Sequence, residues 1–251
     1  MPIQIIPIRY LPIIKENDDL VKLTIKSLNK MGFQPKKKDV YVYSHVIISR
    51  VEGKHADLEK VNPSKIALNY AKFTGKDPRL VEIILRESRA IRRMTSGVLI
   101  TETKHGFVCA NSGVDKSNVP GENIVAPLPD DPDQSALKIR RRFKEISNVD
   151  VGVLIVDTHG RAHRNGEINV TIGASGFEVI RDRRGEKDLF GYELRVKRTA
   201  VADELASAAE LVIGQSDEGV PVALIRGYDI IFSESSNAKE LIRPREKDLF
   251  V

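Results

Sequence analysis

The sequence predicts an α+β fold with mixed and antiparallel sheets packed against helices. Three observations predict it. Strand-like apolar runs are interleaved with helical patterns, but without the regular strand–helix alternation of a doubly wound parallel sheet. A hairpin pattern surrounds Gly106, and a hairpin pairs its strands antiparallel. Residues 136–146 and 200–213 carry apolar side chains at helical spacing.

Taken in order, the β-branched run Ile3–Ile8 predicts a strand, and Leu11-Pro12-Ile13-Ile14 predicts a loop, because Pro cannot donate to a central ladder. A helix begins at Asp18-Asp19-Leu20, carries Leu23, Ile25 and Leu28, and ends before Gly32. Residues 39–53, DVYVYSHVIISRVEG, read as a β-rich stretch. Ile66, Tyr70 and Phe73 predict one helix; Leu80, Ile83, Ile84 and Ile91 predict the next, with Asn62-Pro63 and Asp77-Pro78 as starts. GVLITETK and GFVCANSG form the hairpin, and VAPLPDDPD at 125–133 is a loop. Ala136, Ile139, Phe143 and Ile146 share a helical face behind the capping segment DPDQSA. Val151–Val156 is a buried strand that stops at Asp157. The helix 200–213 turns Val201, Leu205, Ala208 and Val212 inward and ends at Gly214; VPVALIRG is a final strand. The length suits one unit over residues 1–251, or two interlocked subdomains.

Forty basic residues against 35 acidic ones leave a net charge of +5, scattered apart from KKK at 36–38 and RRR at 140–142. No nucleic-acid module accompanies that surplus, so it predicts mild attraction for small anions rather than a nucleic-acid partner. No run approaches the roughly 18 apolar residues of a membrane span. The first residues lack a signal-peptide pattern, and the single cysteine, Cys109, cannot make an internal disulfide. A soluble cytoplasmic protein without a membrane partner is the expectation.

Polar residues gather at three stations, each at the end of an apolar element: ANSGVDKSN at 110–118, which contains Asp115; Asp157-Thr158 with Gly160 and Arg161; and Gly214–Gly219. Carboxylate, hydroxyl and amide oxygens suit Mg²⁺ or Mn²⁺, which bridge phosphate oxygens, and nearby Lys and Arg neutralise phosphoryl charge. The sequence has no GxxxxGK[ST], no kinase signature and no GxGxxG, so a nucleotide site here is of an unusual type. Plainer readings stand beside this one. An Asp before a turn is commonly a cap, and GQSDEG reads equally as a helix C-cap and turn. His159 and His163 have the spacing of a zinc helix, but Gly160 and the preceding strand argue against a helix. Cys109, between Val108 and Ala110, reads as core filler. Spacing alone stops at metal-assisted phosphate chemistry.

Five segments together say more: LPIIKENDDL at 11–20, ISRVEGK at 48–54, NSGVDKSNV at 111–119, VDTHGR at 156–161, and KDLFGYELRV…VADELA…IGQSDEGVPVALIRG. In this order, from residue 3 to about 227, they resemble the coenzyme F-420:L-glutamate ligase family, with about two dozen final residues outside the match. The resemblance implies a non-P-loop α+β fold, an intertwined homodimer and a GTP-dependent amide ligase. Such an enzyme joins L-glutamate to glutamate-free coenzyme F-420 through an acyl phosphate, then adds a second glutamate by its γ-carboxyl. It implies a pair of divalent ions, Mg²⁺ or Mn²⁺, at Asp115, Asp157, Thr158 and Gln215, with K⁺ as a further cation. It implies nucleotide contacts from Leu11, Pro12, Ile13, Ile14, His45, Val46, Arg50 and Asn118. The segment Ile213, Gly214, Gln215, Ser216, Asp217, Glu218, Gly219 and Val220 matches a nucleotide-binding loop. Asp157 and Arg161 match catalytic positions, and Arg164 a basic one. His45, Val46, Arg50, Val51 and His159 depart from the residues usual in the family. Two alternatives remain at this level: a ligase for another acceptor acid, and a non-catalytic GTP-binding paralogue.

Overall fold

The computed structural model describes residues 2–248. Along the chain it contains β1 (Gln4–Pro7), α1 (Leu20–Lys30), β2 (Val40–Ser44), α2 (His45–Val51), β3 (Ala56–Asp57), α3 (Lys65–Thr74) and α4 (Pro78–Arg86). There follow β4 (Ser88–Thr95), β5 (Val98–Thr103), β6 (Val108–Ala110), β7 (Ile124–Val125), α5 (Pro132–Ser147), β8 (Gly152–Arg161) and β9 (Arg164–Phe177). The last elements are β10 (Arg181–Asp182), β11 (Arg198–Thr199), α6 (Val201–Ile213), β12 (Val222–Arg226) and β13 (Phe232–Ser233).

Six strands form one mixed sheet in the order β1-β12-β2-β8-β9-β13. Only β2 and β8 are parallel; the other neighbours run antiparallel. Period-two alternation along the central strands builds a core on each face. Tyr41, Tyr43, Val153, Ile155, Val222 and Leu224 pack with α1, α2 and α5. Val40, Val42, Leu154, Val156, Ala223 and Ile225 pack with α6. A third cluster joins α3, α4, Leu99 and Val125 beside the sheet β4-β5-β6. Across the first core Tyr41 stacks on Phe143 with ring centroids 4.2 Å apart. At the far end of the sheet, buried Asp39 accepts two hydrogen bonds from Arg226, Nε at 2.8 Å and an η nitrogen at 2.7 Å.

The helix punctuation read from the sequence holds at α1, where the Asp19 carboxylate accepts from Lys22 N–H, and at α5, where Asp131 accepts from Gln134 N–H. The structure corrects four readings. Residues 45–51 are helix, not strand. Val46, Ile47 and Ile48 are buried, and that packing overrides the β preference of their branched side chains. In α3 the buried stripe is Ala67 and Ala71, while Ile66 and Phe73 are 58% and 59% exposed. The second predicted helix ends at Arg86, so Ile91 belongs to β4. Strand β8 does not stop at Val156 but continues to Arg161, because β9 pairs with it over that whole length. Among the described residues no helix is long and apolar enough to cross a membrane.

Candidate active site

Strand β2 ends at Ser44, which is also the N-cap of α2, so the β2–β8 ladder closes at Ser44 and Val156. Beyond that point β8 has only β9 beside it. A bulge on β9 falls at the same junction, between the partners of Ile155 and Val156. Bulges re-aim side chains locally. Asp157 and Thr158 therefore emerge into a cavity of about 280 Å³ instead of continuing the packed sheet.

Besides β8, five chain segments wall this cavity. The loop after β1 contributes Leu11, Pro12, Ile13 and Ile14; the start of α2 contributes His45 and Val46, with Arg50 a turn later. Asp115, Ser117 and Asn118 come from the 110–118 station, and Asn169 from β9. The turn after α6 contributes Ile213, Gly214, Gln215, Ser216, Glu218, Gly219 and Val220. Two residues of the expected set are not in this wall. Asp217 is exposed within the turn. Arg161 lies at the end of the β8–β9 hairpin, opposite Arg164, where an η nitrogen donates to the carbonyl of Asn165. His163 sits at the turn of the same hairpin with φ of 61°.

The turn after α6 has a tight origin. Gly214 has φ of +73°, and a Cβ there would lie 2.2–2.6 Å from the Glu218 carboxylate. That carboxylate folds back to accept from Ser216 N–H at 2.8 Å. Gln215 then reaches the centre, its amide nitrogen donating to Thr158 Oγ1 at 2.8 Å and also to Glu210. Thr158 Oγ1 in turn donates to Asn169 Oδ1 at 2.9 Å. On the opposite wall, Arg50 donates to the backbone carbonyl of Asn118, and Asp115 accepts from the amide and hydroxyl of Ser117.

Asp157 is the hub. Its Oδ1 accepts from Thr158 N–H at 2.8 Å and lies 3.2 Å from His45 Nε2; its Oδ2 lies 2.9 Å from His159 Nε2. Burial opposes the carboxylate charge, yet the two imidazoles hold its carboxyl well below the usual range. Burial likewise opposes charge on His159, but hydrogen bonds to Asp157 and Cys109 raise it to about 10. His45 and His159, two of the departures from the family pattern, thus both act on this carboxylate. Sequence reading missed that pairing, along with Asn169 and Glu210. The i, i+2 spacing of Asp157 and His159 on one strand face was the available signal; nothing local linked His45 to them.

The residues assigned to divalent metal fit such an ion. Asp115, Asp157, Thr158 and Gln215 offer only oxygen donors once the Gln amide is turned, and Asp157 is held ionised. One further oxygen, Glu210 Oε2, is buried beside Gln215 without a hydrogen-bond partner.

Comparison with known proteins adds an independent finding. The family model described as F420-0:Gamma-glutamyl ligase matches residues 8–227. The chain is 46% identical over 251 residues to the coenzyme F420:L-glutamate ligase of Methanothermobacter thermautotrophicus, covering 100% of this chain and 99% of that protein. The proteins of the same name from Methanocaldococcus jannaschii and Methanopyrus kandleri are 48% identical over 212 residues and 45% identical over 240. These alignments cover 84% of both chains in the first case, and 94% of this chain and 93% of the relative in the second. The first alignment runs through the final residues, so the likeness extends past the limit near residue 227 drawn from motifs alone.

Proposed function

The chain belongs to the F420-0:gamma-glutamyl ligase family, and from that premise we propose that it joins L-glutamate to glutamate-free coenzyme F-420 at the expense of GTP. It is a ligase that forms amide bonds. The observation that carries the finer reading is the convergence on one cavity of segments from residues 11–14, 45–50, 115–118, 157–158 and 213–220.

In the proposed reaction an acceptor carboxylate oxygen attacks the γ-phosphorus of GTP and GDP departs. The glutamate amine then attacks the acyl carbon and phosphate departs, carrying away the bonding electrons of the acyl–oxygen bond. Activation is required because a carboxylate is a poor electrophile. Leu11–Ile14 and Val46 give the nucleotide an apolar wall, and Arg50, tied to the 118 carbonyl, sets the spacing between α2 and the Asp115 loop. The Gly214–Gly219 turn brings backbone within reach of phosphate oxygens. Arg161 and Arg164 would meet substrate carboxylates at the hairpin end, outside the cavity wall. Asp115, Asp157, Thr158 and Gln215 would hold a pair of divalent ions, with K⁺ as a further cation, whose charge would offset that of the phosphates. A second γ-linked addition would use the first product's new carboxylate in the same way.

The direct test incubates the chain with GTP, Mn²⁺, L-glutamate and glutamate-free coenzyme F-420, with products weighed by mass spectrometry. A gain of one or two glutamyl units with release of GDP and phosphate is expected. GTP binding without a glutamylated product would refute the acceptor assignment and favour either a ligase for another acceptor acid or the non-catalytic paralogue. The proposed homodimer has its own support in the segment between β10 and β11. There Leu189, Phe190 and Val196 are 98%, 96% and 89% exposed, apolar surface that a second copy would cover. A Leu189→Glu, Phe190→Glu variant should sediment as a monomer; a persisting dimer rules this segment out as the interface.

A further inference from the structure

We propose that Cys109, Asp157 and His159 form a second, softer cation site that takes Zn²⁺. Asp157 and His159 alternate onto one face of β8, and Cys109 reaches them from β6. One ligand atom from each, Sγ, a carboxylate oxygen and an imidazole nitrogen, lies within 4.8 Å of the other two. The cluster is enclosed: Cys109 is 6% exposed, and the side chains of His159 and Asp157 are 11% and 10% exposed.

The donor chemistry separates this site from the oxygen-lined one. Mg²⁺ and Ca²⁺ take oxygen, whereas thiolate and imidazole select zinc-like ions. Zinc bonds of about 2.0–2.3 Å place tetrahedral ligands roughly 3.3–3.8 Å apart, so small side-chain rotations suffice and β6 and β8 need not move. Three protein ligands leave a fourth position for water, and His45 stays on Asp157 Oδ1 as the partner that orients it. Binding balances by proton release: the thiol of Cys109 and the Nε2 of His159 each give up a proton to solvent as their lone pairs turn to the cation. The proposed ligand set draws on Cys109 from β6 and not on His163, which lies at the turn of the β8–β9 hairpin.

Asp157 belongs to both sites, so zinc bound here withdraws it from the Mg²⁺ or Mn²⁺ position. That consequence rests on the proposed ligase reading; the binding itself does not.

The test is a Co²⁺ titration of the metal-free full chain. Cys109 is the only cysteine, so any thiolate-to-cobalt charge-transfer band arises from it. The expected result is a band that saturates at one Co²⁺ per chain and is displaced by Zn²⁺ at far lower concentration than by Mg²⁺. Cys109→Ser should abolish the band while its far-ultraviolet circular dichroism matches wild type. His159→Gln should weaken Co²⁺ binding by more than the roughly 10–100-fold lost when only a partner behind a ligand is removed. No band at saturating Co²⁺, or equal affinity in wild type, His159→Gln and Asp157→Asn, overturns the site. In the ligation assay, zinc should inhibit wild type and excess Mn²⁺ relieve it, while whatever ligation Cys109→Ser retains should resist zinc. Equal zinc sensitivity of the two overturns the shared use of Asp157. A wild-type chain that binds Co²⁺ but never ligates removes the function reading and leaves the site standing.

Discussion

The two halves of β8 are one strand with two jobs. From Gly152 to Val156 it has β2 on one side and β9 on the other, and Val153, Leu154 and Ile155 are fully buried. From Asp157 to Arg161 it has β9 alone, and its side chains meet imidazole, hydroxyl and cavity. The chain is strand throughout. What changes at residue 157 is the loss of a neighbouring strand, because β2 turns into α2 at Ser44. A strand that outruns its neighbour presents polar groups from a rigid base, which suits a site requiring fixed geometry.

Substitutions in the two halves should therefore give opposite signatures. The largest effect is expected for Asp157→Ala: ligation falls by roughly 10²–10³-fold, on the scale of removing one preorganised charge-stabilising group, while the circular dichroism spectrum is retained. Near-normal turnover would break the comparison at its polar end. Leu154→Ala should do the reverse, costing about 2–5 kcal/mol of stability through the cavity left behind, with kcat per folded molecule unchanged. Denaturant unfolding and a rate normalised to folded protein read both. Gly173→Ala, on the β9 side of the junction, is expected to cost about 1–3 kcal/mol by overpacking, since its Cβ would lie 2.4 Å from the Pro132 carbonyl oxygen. Its melting temperature should drop; an unchanged value would mean that α5 moves away freely. The smallest effect concerns pH. His159 is raised from its ordinary 6.5 to about 10, so its share of stability is complete below about pH 6.5 and is lost as pH climbs toward 10. The wild-type melting temperature should fall more over that interval than that of His159→Asn; parallel curves would remove the imidazole–carboxylate contact from the account.

Much of this was legible in the sequence, and the gaps have physical causes. Caps and periodicity located α1, α4, α5 and α6 because Asp19, Asp77, Asp131 and Gly214 mark ends chemically. The β-branched run His45–Val51 misled, since helix or strand was decided there by burial against the sheet and not by propensity. In α3 Ile66, Leu68 and Phe73 pointed outward and two alanines inward, where α4 packs close. Strand β9 carries Gly166, Gly173 and Gly176 among its apolar residues and so lacks a clean alternation. At the site, local motifs named nearly every wall residue through family likeness. The pairing of His45, Cys109 and His159 around one carboxylate depends on which strands become neighbours, and no local window holds that information.

The register of β1 carries a consequence for how the molecule is made. Gln4 pairs with Arg226, and β12 lies between β1 and β2 in the sheet. A chain emerging from the ribosome N-terminus first holds its opening strand with no ladder partner until residues 223–226 have been synthesised. The cavity is closed by its earliest and its latest wall, so a chain cut short before residue 213 should hold no nucleotide, however well its α5–β8–β9 layer packs.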